Sequence, residues 1–231
     1  MKKQMAHRPA AIGLAVFALV ATSSQAAVVV YSNEGAFAAA SGATLHALPS
    51  GINATSLTTV DGALTISTVG LAPGTTNMIT NWAAYPGVGV SRLDGVEMAI
   101  SGTESFNSSV TLGADRYAFG FGIYESTDNS LPGCNFPCTD STFTITLKNN
   151  GTQVGSSFTL SPADNLAVFW GVHTDYAFDA VEIRETIGSA DNEIFGTFYT
   201  GTTPVPLPAA AWLLLSGLGG LGFIGRRRKS A

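Results

Sequence analysis

Tyr117-Ala118-Phe119-Gly120-Phe121-Gly122-Ile123-Tyr124 places a large apolar side chain at every second position. That is the two-residue period of a β-strand, with Phe119 and Phe121 directed to a core rather than to solvent. Short runs of the same kind surround it. Val110-Thr111-Leu112 precedes it, and Phe143-Thr144-Ile145-Thr146-Leu147 and Val154 to Leu160 follow, flanking Asn149-Asn150-Gly151. Ala167-Val168-Phe169-Trp170, Ala180-Val181-Glu182-Ile183-Arg184 and Ile194 to Tyr199 complete the downstream series. Upstream, Val28 to Tyr31 is an apolar run, and Leu57 to Val60 and Leu64 to Thr68 alternate about Asp61-Gly62, a two-residue hairpin signal. Ser32 is placed to cap a short helix with Glu34 in its first turn and Phe37 on its buried face. Residues 77–91 break the pattern and read as a long surface loop. Many short strands with Gly, Asn and Asp turns, and no strand–helix rhythm, predict an all-β chain forming a single antiparallel β-sandwich.

The two ends read differently. Lys2, Lys3 and Arg8 precede an apolar run from Ala10 to Ala21, and small Ser24 and Ala26 occupy the positions that a signal peptidase reads. Cleavage is expected after Ala26, because the run is short for a membrane span of about 20 residues. At the other end, Val205-Pro206-Leu207-Pro208-Ala209 opens an uncharged stretch reaching Ile224, followed by Arg226, Arg227, Arg228 and Lys229. A helix from Ala209 to Ile224 would be about 24 Å long at ~1.5 Å per residue. That is short for a hydrocarbon core of about 30 Å, although Trp212 suits the interface and the arginines can snorkel. The basic cluster is expected on the cytoplasmic side, leaving the domain outside. The organisation expected is thus a signal peptide (1–26), an ectodomain (27–203) and a tail with a transmembrane helix (204–231).

This tail resembles the PEP-CTERM class of bacterial sorting signals, in the subgroup whose motif reads VPLPA; its proline motif, apolar helix and basic end occur in the same order. The parent class usually has Glu between the prolines, where this chain has Leu207. The resemblance implies an exosortase-type membrane enzyme as partner, which recognises the proline motif and removes the helix. The alternative is an ordinary anchor that is never processed. The second half also resembles extracellular domains found upstream of such tails, through Ala118 to Phe121, Phe143 to Leu147, Phe169 to Gly171, and Asp191-Asn192 before Ile194-Phe195. That likeness implies a jelly-roll-like sandwich and brings no catalytic residues with it.

Between Ala27 and Thr203 lie all 16 acidic residues but only four of the 11 basic ones, for a net charge of −12 against −5 for the whole chain. Such a domain repels phosphate backbones, which argues against nucleic acid as a partner. Cys134 and Cys138 are expected to form a disulfide in an oxidising compartment, pinning a hairpin tip; zinc would need further ligands. Catalytic signatures are missing: His173 precedes Asp175 at the end of a strand without a nucleophile elbow and reads as a loop histidine, so no enzyme is predicted. No cofactor is expected, apart from a structural calcium ion for which Glu125, Asp128, Asp140 and Asp191 supply loop oxygens. Trp82 and Tyr85 form a candidate sugar platform. The sequence therefore predicts an exported, non-enzymatic surface or matrix protein with a structural or binding role linked to exopolysaccharide. A carbohydrate-binding module and a secreted hydrolase are the alternatives.

Overall fold

The computed structural model describes residues 27–68, 77–80, 93, 96, 98–101, 107–125, 141–187, 193–206 and 216. In chain order the elements are β1 (Val28–Tyr31), α1 (Glu34–Ser41), β2 (Thr44–His46), β3 (Asn53–Ala54), β4 (Ser56–Thr58), β5 (Thr65–Thr68), β6 (Asn77–Thr80) and β7 (Met98–Ser101). The second half contributes β8 (Asn107–Glu125), β9 (Thr142–Asn149), β10 (Thr152–Gln153), β11 (Phe158–Leu160), β12 (Ala167–Ile187) and β13 (Glu193–Gly201). The named strands join in one 13-stranded hydrogen-bonded network, and their pairings are antiparallel.

Strands β8 and β12 organise the rest. They span 19 and 21 residues and pair with each other twice, Ala167–His173 against Ala118–Tyr124 and Ala180–Arg184 against Asn107–Thr111, with register breaks between. One half of the network therefore runs β4, β5, the start of β8, the end of β12, β9 and its short partners β10 and β11. The other half runs β1, the start of β12, the end of β8 and β13, with β2 and β7 on β13. The stretches Val110–Leu112 and Tyr117–Tyr124, expected as separate strands, are thus one strand that turns a corner. Gly113 sits at that corner with φ 65°, a left-handed conformation that glycine adopts without steric cost.

The halves enclose one core. Phe119, Phe121, Ile123, Trp170 and Phe195 from one side share a buried cluster with Val110, Ile145, Leu147, Val181 and Ile183 from the other. The rings of Phe143 and Phe195 meet edge-on at 5.8 Å, and those of Phe158 and Trp170 at 5.5 Å. A second, smaller cluster has α1 as its lid. Phe37 is fully buried against Ala118 and Phe169, with Tyr31 and Tyr199 packed on its edges.

Three local expectations change. The cap of α1 is Asn33 rather than Ser32: Asn33 is extended, and its side chain accepts from the Ala36 N–H at 2.8 Å. The Asp61-Gly62 connection is not a two-residue turn, because Thr59 N–H bonds Leu64 O at 2.9 Å while the Asp61 carboxylate accepts from Thr59 Oγ1 and Ala63 N–H. Within 77–91, Asn77–Thr80 is a strand held between β3 and β7 rather than loop. Asn150 and Gly151 do form a two-residue hairpin, with φ 50° and 75°, as the type I′ turn demands. Among the described residues no helix is long and apolar enough to cross a membrane. The expected signal segment and nearly all of the expected C-terminal helix lie outside them.

Candidate functional site

The residues just before the first strand and just after the last meet on one short stretch of β12. Strand β1 pairs with β12 so that Val28 lies opposite Thr174. One residue earlier, Ala27 is held twice by Asp175: its carbonyl accepts from the Asp175 N–H at 3.0 Å, and its N–H donates to the Asp175 carboxylate at 2.9 Å. From the other limit, the Val205 N–H donates to Thr174 O at 2.9 Å. His173 and Thr203 O are 2.8 Å apart through Nε2, which makes Nε2 the protonated nitrogen, and the Thr203 hydroxyl donates to Ser41 O at 2.7 Å. His173 is therefore not a loop histidine. It is buried inside a strand that stays extended through Thr174 and Asp175, and its polar tip fastens the segment leaving β13. Val205, the first residue of the proline motif, is thus set directly against the domain, and Pro206 after it is exposed.

A second polar cluster lies where β8, β13 and the start of β9 converge. Glu125 and Glu193 are register partners. The Ser141 N–H donates to Glu125 at 2.5 Å, and the Ser141 hydroxyl donates to Glu193. Burial pushes the Glu193 carboxyl up to about 8, the Ser141 hydrogen bond opposes this, and the charges of Glu185 and Glu125 push the same way. Of the expected calcium ligands only Glu125 is described; Asp128, Asp140 and Asp191 lie outside the described residues. Among the described residues no group of three or more His, Cys, Asp or Glu is placed to hold a metal ion. Cys134, Cys138, Trp82, Tyr85, Leu207, Pro208, Ala209, Arg226, Arg227, Arg228 and Lys229 also fall outside them.

A third arrangement was hidden from sequence reasoning. The ring of buried His46 bridges Asp61, at 2.6 Å through Nδ1, and the Thr200 hydroxyl, at 2.8 Å through Nε2. The order of groups is that of an acid–base–nucleophile relay. Thr200 is only 5% exposed and His46 6%, however, so the hydroxyl has no room to meet a substrate. The chemistry it performs is structural: β2, the β4–β5 connection and β13 are tied by one imidazole. The hydrogen bond from His46, then that from Thr59, hold Asp61 down to about 2. Nothing short of the fold brings residues 46 and 200 together.

One surface depression, of about 210 Å³, is lined by Glu34, Leu93, Gly122, Ala167, Val168, Phe169 and Thr197. Thr197 has φ 47°, an unfavourable conformation for a β-branched residue, at the register break of β13.

Comparison with known proteins gives one informative match. No curated protein sequence matches the chain. Among solved structures, a family 29 carbohydrate-binding module is 14% identical over 71% of this chain and 92% of its own, with a TM-score of 0.35. A family 11 carbohydrate-binding module from Clostridium thermocellum is 12% identical over 68% of this chain and all of its own, at 0.32. The tailspike protein 4 of bacteriophage CBA120 is 16% identical over 61% of this chain but 19% of its own, at 0.36. Likenesses this distant carry nothing over to this chain. The tail is another matter: residues 204–229 match the PEP-CTERM protein-sorting motif, and the chain carries that motif there.

Proposed function

We propose that this is an exported display protein, whose signal segment is removed after Ala26 and whose β-domain is held at the inner membrane by its C-terminal helix until an exosortase-type enzyme acts on the VPLPA motif. The domain then resides on the cell surface or in an extracellular polysaccharide matrix, with a structural or binding role. The observation that carries the reading is the sorting motif itself, which starts within a few residues of the last strand; Val205 is still hydrogen-bonded to Thr174. A jelly-roll-like sandwich is the natural reading of a sheet whose two halves share β8 and β12 and close over one core. A non-enzymatic role is supported by the burial of the His46–Thr200 relay, which keeps the nucleophile-like hydroxyl from solvent.

Intact-mass measurement of the protein from its native envelope tests this. A C-terminus between Val205 and Pro208 in the wild type, and retention to Ala231 when Pro206 and Pro208 are both replaced by alanine, is the expected pair of results. Recovery of the full tail in the wild type would reduce the motif to an ordinary anchor.

Carbohydrate binding is the second reading. Trp82 and Tyr85 supply its candidate platform, and the depression beside the strained Thr197 gives it a second location, with Glu34 as a polar group and Phe169 as an aromatic one. Silence on a glycan array, with Trp82→Ala and Thr197→Gly behaving as wild type, would remove it. A secreted hydrolase has only the buried relay to recommend it.

A further inference from the structure

We infer that Asp175 is the seat of the mature protein's new N-terminal ammonium group, so that export-linked cleavage itself completes the closure of β1. This rests on cleavage after Ala26, as proposed above. Hydrolysis of the Ala26–Ala27 peptide bond adds one water across it. Ala26 leaves as a carboxylate, and the Ala27 nitrogen, freed from its acyl group, takes up protons to become an ammonium.

That nitrogen already lies 2.9 Å from the Asp175 carboxylate. Ala27 cannot drift from it, because its carbonyl is held by the Asp175 N–H and the following residues are zipped to β12 from Val28 to Tyr31. The sites are 148 residues apart in sequence, so this is tertiary placement and not a local turn. Ion pairs among the described residues, such as those of His46 with Asp61 and of Glu182 with Lys148 and Arg184, do not involve Asp175. Before cleavage the carboxylate receives one amide hydrogen from Ala27; after cleavage it faces a full positive charge with more than one N–H to offer. A charge-assisted hydrogen bond is shorter and roughly twice as strong as a neutral one. The titratable groups adjoining it on β12 are His173, occupied by Thr203 O, and Tyr176, whose phenol is pushed up by burial and then by the Asp175 charge. Neither supplies a fixed positive charge that would make the ammonium redundant.

The placement gives processing a structural consequence. The Thr174 carbonyl that receives Val205 immediately precedes the residue that receives Ala27. Seating of the new terminus therefore steadies the segment of β12 on which the start of the sorting motif is docked.

The test uses the full chain made in an exporting host, purified after processing. It compares wild type, Asp175→Asn, and both backgrounds with two threonines inserted after Ala26. The insertion keeps the Ala27 amide N–H but carries the charged terminus away. Terminal mass first establishes the start of each chain. With Ala27 as terminus, Asp175→Asn should lower the melting temperature by roughly 2–4 °C, and in the inserted chain by clearly less. Acylation of the terminal amine by an activated ester at neutral pH should be about tenfold faster in Asp175→Asn than in wild type, as one pKa unit implies. Equal losses of stability in both backgrounds, or equal acylation rates, would overturn the ammonium seat and leave Asp175 as an acceptor for an amide. A terminus elsewhere than Ala27 would overturn the cleavage reading instead.

Discussion

Exchanging Gly171 for alanine should cost more stability while Phe37 is in place than after Phe37 is removed. Gly171 lies on β12 beneath α1, and a Cβ built there would come within 2.8 Å of Phe37 Cδ2, 2.9 Å of Phe169 Cε1 and 3.0 Å of Phe37 Cγ. Carbon atoms prefer about 3.5–4.0 Å, so the rings must retreat by roughly half an ångström or more. They have little room, since Phe37 is fully buried with Phe169 at 5.4 Å and Tyr31 at 5.7 Å, centroid to centroid. Overpacking of this sort costs about 1–3 kcal/mol. Phe37→Ala alone removes a fully buried ring and should cost about 3–5 kcal/mol. In the double variant two of the three clashing contacts are gone, and alanine in an extended strand recovers about 0.5–1 kcal/mol of backbone entropy. The double variant should therefore be less destabilised than the sum of the singles by about 1–3 kcal/mol. Urea unfolding of the four proteins, with the slope checked for constancy, measures this directly. Additivity to within about 0.5 kcal/mol would refute the placement of Phe37 over Gly171.

Acid should loosen the tie between β2 and β13. Asp61 is held near 2 against an ordinary 3.8, so its contribution is present above about pH 4 and is lost as pH falls toward 2. Asp61→Asn should flatten that limb of an acid titration followed by tryptophan fluorescence; an unchanged limb would mean that another carboxylate sets it. Glu193 works in the opposite sense. Its folded value of about 8 lies above 4.5, so the folded state keeps a proton that the unfolded chain has lost, and stability falls from about pH 4.5 to about pH 8. Glu193→Gln retains an acceptor for Ser141 and should remove that decline in thermal melts run with a chelator; parallel wild-type and variant curves would refute the buried neutral acid.

How much of this was legible in the sequence depended on the range of the interactions involved. Alternation from Tyr117 to Tyr124 marks a strand because period two is a property of the chain itself. Asn150-Gly151 announces its turn because positive φ is a local requirement that few residues meet. The continuity of β8 and β12 was not legible. His173-Thr174-Asp175 carries polar side chains that read as a loop, yet pairing with β1 and contacts to Tyr117, Thr203 and Ala27 keep the stretch extended. The calcium and sugar candidates, grouped by proximity in sequence, lie almost wholly outside the described residues, whereas two polar clusters within them join Glu125 to Ser141 and Glu193, and His46 to Asp61 and Thr200, across the fold.

By itself the sequence determined the all-β class, the charge division between domain and ends, and the sorting tail, since each is written in local composition, period or a contiguous motif. Tertiary structure alone decided which carboxylate is buried enough to be neutral, which histidine is a structural bridge, and that Ala27 and Val205 share one seat on β12. Those properties depend on groups that the fold brings together from about 30 to more than 150 positions apart. A chain read along its length cannot see its own neighbours across a sheet.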